Sequence, residues 1–231
     1  MRTLDLLLKY KQFLDLKKTA IKRYSPKSAA GYTLIEMLVV VLIIGVLAAI
    51  AAPGWLGFVS QRRVNAASDV VLRTIQEAQS QAKNKKLSYS VAFKIPANPQ
   101  DAVPQIAVYP TKKPDGTYFD PDTELTSASW RSLGEDLAIQ PGQIILQTNL
   151  NSENNGLAPA FSNEEIITFD YTGALPTGSD IYPPLTVTVA APQGTNPIPS
   201  TKRCVQVTTL LGNLTKGRKE YDATNNPQGC R

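Results

Sequence analysis

From Met37 to Gln61 the chain runs 25 residues without a charge, and its first part, Met37–Ala52 (MLVVVLIIGVLAAIAA), is apolar throughout. A helical run of about 20 residues is enough to cross a hydrocarbon core. The flanks are lopsided. Residues 1–31 hold eight Lys/Arg against two Asp/Glu, and Arg62 and Arg63 follow only after the run ends. Basic flanks stay cytoplasmic, so the sequence predicts a single pass with the N-terminus inside and the body exported.

That asymmetry also explains the charge. The net +5 comes from 24 Lys+Arg against 19 Asp+Glu, yet residues 32–231 carry 16 against 17. The basic character belongs to the N-terminal segment and does not argue for a nucleic-acid-binding body. There is no His, which excludes Ser-His-Asp and Cys-His nucleophilic sites and every His-ligated metal site. Two Cys, at 204 and 230, cannot build a thiolate zinc site by themselves.

Three export signals compete. Ala49-Ile50-Ala51 has the small-x-small form of a signal peptidase site, with cleavage after Ala51. A permanent signal anchor is the second reading. The third turns on Glu36, a carboxylate at the start of the apolar run, in the stretch Gly31-Tyr32-Thr33-Leu34-Ile35-Glu36. Ionisable groups at membrane depth are costly and mark function by default. Neither a signal peptide nor a plain anchor explains it.

Gly31-Tyr32-Thr33-Leu34-Ile35-Glu36, followed by the apolar run, resembles the processing motif of type IV prepilins and pseudopilins. The resemblance implies cleavage after Gly31 by a membrane aspartic peptidase, N-methylation of Tyr32, and a bacterial inner-membrane location before incorporation into a filament. Tyr32 stands where the family usually has Phe, and the leader, residues 1–31, is longer than the usual one. Glu36 and Pro53 fall at mature positions where pilins commonly carry Glu and Pro. Physically, the Glu36 carboxylate of one packed subunit is suited to face the Tyr32 amine of another, which makes it a register device for assembly.

Beyond the run, Pro53-Gly54 predicts a kink in the helix. Val64, Ala67, Val70 with Val71, Ile75, Ala78 and Ala82 then recur at helical spacing opposite Asn65, Asp69, Arg73, Gln76 and Lys83. A continuous helix from Thr33 to Lys85 would span roughly 80 Å. After Lys86 the period becomes two. Leu87, Tyr89, Val91, Phe93 and Ile95 alternate with Ser88, Ser90, Ala92 and Lys94, a strand with one buried face. Further strands are predicted at 105–109, 143–148, 166–170, 185–190 and 204–210, with residues 110–140 and 149–164 as irregular loops. The fold class is α+β: a long N-terminal helix packed on a mainly antiparallel β-sheet head. The expected segments are a removed leader (1–31), an apolar transmembrane or filament-core helix (32–55), an amphipathic helix (56–86) and a β-rich head (87–231).

Ile166–Gly173 and Cys204–Gly212, each a strand ending at a Gly turn, are similar to the paired hairpins that end the GspH/FimT-type minor pilins and pseudopilins. On an exported head, Cys204 and Cys230 are read as a disulfide closing a C-terminal loop, as pilins often have, with two free thiols as the alternative. In the chain-entropy model such a loop contributes roughly 3 kcal/mol.

Acidic groups at Asp120/Asp122/Glu124, Glu135/Asp136 and Glu164/Glu165 lack the Gly and distal Glu of an EF-hand loop and read as solvated loops. The resemblance keeps calcium open, because some pseudopilins bind it. No phosphate loop, dinucleotide fingerprint or nucleophile elbow is present. The sequence therefore predicts a non-enzyme without cofactor or metal. It reads as a minor pilin or pseudopilin of a type IV pilus or type II secretion system, whose partners are the prepilin peptidase/methylase, other pilins and the membrane. The alternative is a DNA-capturing minor pilin, for which Lys216, Arg218 and Lys219 supply the phosphate contacts.

Overall fold

The computed structural model describes residues 31–135, 138–150, 165–176 and 184–218. It consists of two units, residues 1–51 and residues 52–231. Helical backbone runs over Leu34–Lys85 (α1) and belongs in part to each.

In the first unit, every described residue of the helix is exposed, including Leu34, Ile35, Leu42, Ile44, Leu47 and Ile50. Among the described residues no single helix is long and apolar enough to cross a membrane, and the stretches Leu34–Ile50 and Gly54–Lys85 pass that test only together. Helical backbone nonetheless continues between them, and Ala51 and Ala52 extend the apolar run in the sequence. Beyond it stand Pro53, which has no backbone N–H, and Gly54, which is entropically poor in a helix.

In the second unit the predicted stripe is the helix's buried face. Val64, Ala67, Val71, Ile75, Ala78 and Ala82 are all at most 1% exposed, with Val70 and Leu72 packed partly against the same core. Three of the six are Ala, which lets sheet side chains approach the helix closely. Lys86, at φ 57°, takes the left-handed conformation that ends the helix.

In chain order the strands are β1 (Tyr89–Lys94), β2 (Gln105–Pro110), β3 (Arg131–Ser132), β4 (Ile145–Thr148), β5 (Glu165–Phe169), β6 (Leu185–Ala190), β7 (Pro192–Gln193), β8 (Asn196–Pro197), β9 (Arg203–Val207) and β10 (Leu214–Arg218). They form two four-stranded sheets, ordered β3-β2-β1-β5 and β10-β9-β6-β4, plus the small β7-β8 hairpin. Every pairing is antiparallel. Phe93, Ile167 and Phe169 of the first sheet and Val187, Val189, Val205 and Val207 of the second join the helix stripe in one core.

Four expectations are corrected. The first strand is buried on both faces, because Ala92, Ala107, Tyr109 and Ile166 meet Trp130, with Phe119 and Leu125, in a second cluster. Even Ser90 is buried there, its hydroxyl bonded to Thr111 (2.8 Å) and Thr168 (3.0 Å). Residues 110–140 are therefore not merely irregular: they hold the helical turn α2 (Pro121–Glu124), a 3-10 turn at Ser127–Ser129 and β3, and they supply the cover. Strand 204–210 stops at Val207, where the chain turns back into β10, a strand too polar to read from its sequence. Finally, the two segments taken as paired hairpins lie in different sheets: β5 pairs with β1, and β9 with β6 and β10. Residues 151–164, the other expected loop, lie outside the described residues.

Candidate processing and assembly site

The junction is built on Thr33. Its hydroxyl accepts the Glu36 backbone N–H (3.2 Å), and its carbonyl accepts that of Met37 (3.2 Å). Thr33 is thus the N-cap, and Glu36 stands at the third helical position, the Thr-x-x-Glu spacing of a capping box. Glu36 also lies in the first turn, where the positive end of the helix dipole favours a carboxylate. Sequence reasoning singled out Glu36 and passed over Thr33, although the spacing that marks it was in plain view. Gly31 and Tyr32 precede the helix, and Tyr32 is 73% exposed.

The exposed apolar residues run on to Trp55, Leu56 and Phe58 in the second unit. Trp55 and Phe58 are in contact (6.0 Å between ring centroids), and the Arg62 guanidinium sits 4.8 Å from the Phe58 ring centre. An aromatic pair followed by a cation is the pattern of a segment that passes from an apolar to a wet environment. Ala51, Ala52 and Pro53 carry helical backbone, and the kink expected at Pro53 falls at the junction of the two units.

Cys204 is fully buried on β9, its sulfur 3.6 Å from the Thr188 hydroxyl of the neighbouring strand. No cysteine among the described residues is a free thiol, and Cys230 lies outside them. Of the basic tail, Lys216 forms an ion pair with Asp69 of α1. Arg203 donates to Asn65 Oδ1 (2.7 Å) and to the Lys202 carbonyl (2.9 Å), and Lys202 is itself buried. The structure thus ties this basic surface to the helix. Arg218 is described only as backbone of β10, and Lys219 lies outside the described residues.

Among the described acidic residues, Asp120 and Glu124 are engaged in local contacts. Glu124 pairs with Lys113 and accepts the Asp120 N–H (3.1 Å), while Thr123 donates to Asp120 (2.8 Å). Among the described residues no group of three or more Cys, Asp or Glu side chains is placed to hold a metal. Asp136 and Glu164 lie outside them.

One residue that sequence reasoning missed ties two turns of the head to α1. Gln79 Nε2 donates to the carbonyls of Gly173 (2.7 Å) and Gly212 (3.0 Å). The Leu175 N–H donates to Leu210 O (2.8 Å) alongside. The two Gly turns flagged in the sequence therefore meet at α1, although their strands belong to different sheets. A Cβ at Gly212 would lie 2.5 Å from Gly173 O, and both glycines have positive φ. Nothing in the sequence around Gln79 announces this.

No curated protein matches the chain. Two solved chains are similar to it, both crystal structures of the type IV minor pilin FimU of Pseudomonas aeruginosa (strain PAO1). The identities are 14% and 15%, over 75% and 72% of this chain and 99% of each of those, with TM-scores of 0.41 and 0.38. The family model described as the prokaryotic N-terminal methylation motif matches residues 26–52, which include Gly31, Tyr32, the Thr33 cap and Glu36. The chain thus carries, at residues 26–52, the N-terminal methylation motif that the prepilin resemblance predicts.

Proposed function

We propose that the chain is a minor pilin or pseudopilin, cleaved after Gly31, methylated on the Tyr32 amine and built into a filament through its N-terminal helix. The observation that carries this reading is the methylation-motif match over residues 26–52, on a helix whose apolar residues are exposed throughout its first unit. Such a surface is not satisfied within one chain. A bilayer covers it before assembly, and the equivalent helices of neighbouring subunits cover it afterwards. Glu36 then serves twice, closing its own helix N-terminus and meeting a neighbour's Tyr32 amine. Pro53 marks a kink between the filament-core and head-supporting parts of the helix. Cys204 pairs with Cys230, the chain's other cysteine, which closes the C-terminal loop. The function is structural rather than enzymatic. A pilus and a secretion pseudopilus both use such a subunit.

DNA capture is the weaker reading. Lys216 and Arg203 are already engaged with α1, so a phosphate would have to displace these contacts.

Intact mass of protein extracted from membranes tests the proposal. The expected species is residues 32–231 plus one methyl group. A stable form that starts at Met1 or Ala52 overturns it.

A further inference from the structure

Glu165 breaks the pattern of its own strand. On β5 it stands opposite Phe93, as Ile167 stands opposite Val91 and Phe169 opposite Tyr89. In a strand, residues two apart share a face, so Glu165 continues the core-facing row of Ile167 and Phe169 where an apolar residue is expected. Its Oε2 is buried and has no hydrogen-bond partner among the described residues. Buried polar atoms are otherwise paired almost without exception, and an orphan carboxylate oxygen calls for an explanation.

The explanation we favour lies in the space beside it. Glu165 lines a cleft of about 380 Å³ whose apolar walls come from Phe93, Ile95, Pro96 and Pro99 on one side and from Ile145 and Leu146 of β4 on the other. The remaining polar lining is Gln147 and Thr195, both uncharged, so Glu165 is the one titratable side chain among the described residues of the cleft. Among the described residues β5 ends the first sheet and β4 ends the second, so the cleft lies between two sheet edges.

We propose that this cleft is a binding site for a primary ammonium group on an aliphatic stem, a lysine side chain presented by another polypeptide, with Glu165 as its counter-ion. The chemistry follows from the lining. An aliphatic stem gains by lying on Ile95, Pro96 and Ile145, while the ammonium at its end supplies the donor that Oε2 lacks. A single orphan oxygen matches a compact point charge better than the two-pronged guanidinium of arginine, which prefers two oxygens at once. The flanking edge strands give an extended segment that carries the lysine a backbone to pair with. With no partner in place, burial raises the Glu165 pKa to about 7, and a bound cation would offset that penalty on the carboxylate.

The test uses the full chain in zwitterionic nanodiscs, methyl-labelled at isoleucine, titrated with n-butylammonium as the lysine stem and with n-butanol and butyrate as controls. Butylammonium should shift the Ile95 and Ile145 methyls at pH 8. Apparent affinity should be roughly 50- to 100-fold weaker at pH 5, where a group titrating near 7 is almost fully protonated. Glu165→Gln keeps the shape and should remove both the pH dependence and most of the pH 8 affinity. The proposal is overturned if butanol or butyrate shifts the same methyls as strongly, if Glu165→Gln binds as the parent does, or if butylammonium leaves both methyls unmoved.

Discussion

The two stretches of α1 obey opposite rules. Residues 37–50 are apolar on every side and exposed on every side, whereas residues 64–82 show a stripe one residue wide per turn and bury nearly all of it. The second stretch finds its partners inside the chain, in the core faces of two sheets. The first finds none among the described residues. Composition and periodicity both separate them: a helix apolar all round needs an apolar solvent or many neighbours, and a narrow stripe needs only one sheet surface. The difference divides the protein into a part whose stability is its own and a part whose stability belongs to a membrane or an assembly.

The comparison is most sharply broken by placing the same charge in each stretch. Ile75→Asp buries an unpaired carboxylate in the joint core, and the expected outcome is a head that no longer folds, since such a charge costs several kcal/mol against a total stability of about 5–15. Ile43→Asp should leave the head's thermal unfolding unchanged and lower membrane retention instead. Equal unfolding curves for the two variants would erase the distinction. A milder version is Phe93→Ala, expected to cost about 3–5 kcal/mol in chemical denaturation because Phe93 is fully buried between the helix and the sheet.

Next in size is Gln79→Ala, which frees two carbonyls where the Gly173 and Gly212 turns meet. The expected cost is about 1–3 kcal/mol, read in denaturant, with faster amide exchange at Leu175, whose N–H bond to Leu210 spans the same junction. An unchanged midpoint would show that the turns hold without the helix.

Glu165 adds a pH dependence. Burial moves its carboxyl from the usual 4.5 to about 7, so the folded head favours the protonated form. Stability is fullest below about pH 4.5, falls as pH rises towards 7, and levels off above. The side chain is partly exposed, so the fall is discounted to about 1 kcal/mol. Glu165→Gln should flatten the urea midpoint across that window, and a parent protein already flat from pH 4.5 to 8 contradicts the assignment.

Legibility followed range. The helix stripe was read residue by residue because its partners recur every turn, and the apolar strands β2 and β6 were placed within a residue of their ends. What failed depended on distant neighbours. Ser90 sits on a strand that looks half polar, yet it is buried and its hydroxyl is satisfied by Thr111 and Thr168, while Ala92, two residues on, packs in a cluster with Trp130, Phe119 and Leu125 from a segment that reads as loop. β10 (LTKGR) pairs with β9 with no apolar alternation of its own. At the processing junction the motif is local and was legible, Thr33 apart. The Gly173–Gly212 meeting is made by Gln79, 94 and 133 residues away along the chain, and no local pattern encodes that distance.

The smallest expected effect is at Lys216, and its smallness is informative. Its ammonium meets Asp69 across the gap between β10 and α1, with about a third of the Lys216 side chain and half of the Asp69 side chain exposed. A pair that wet contributes about 0–1 kcal/mol, so Lys216→Ala should move the denaturation midpoint barely beyond error. Because Asp69 already neutralises the ammonium, the same variant should leave the chain's retention on duplex DNA at low salt unchanged. A phosphate-binding lysine behaves otherwise, since its loss weakens binding to every sequence and lowers the salt slope by about one. A clear drop in DNA affinity with no loss of stability would mean that the lysine leaves Asp69 for phosphate, and the head would then be a surface for nucleic acid as well as a filament subunit.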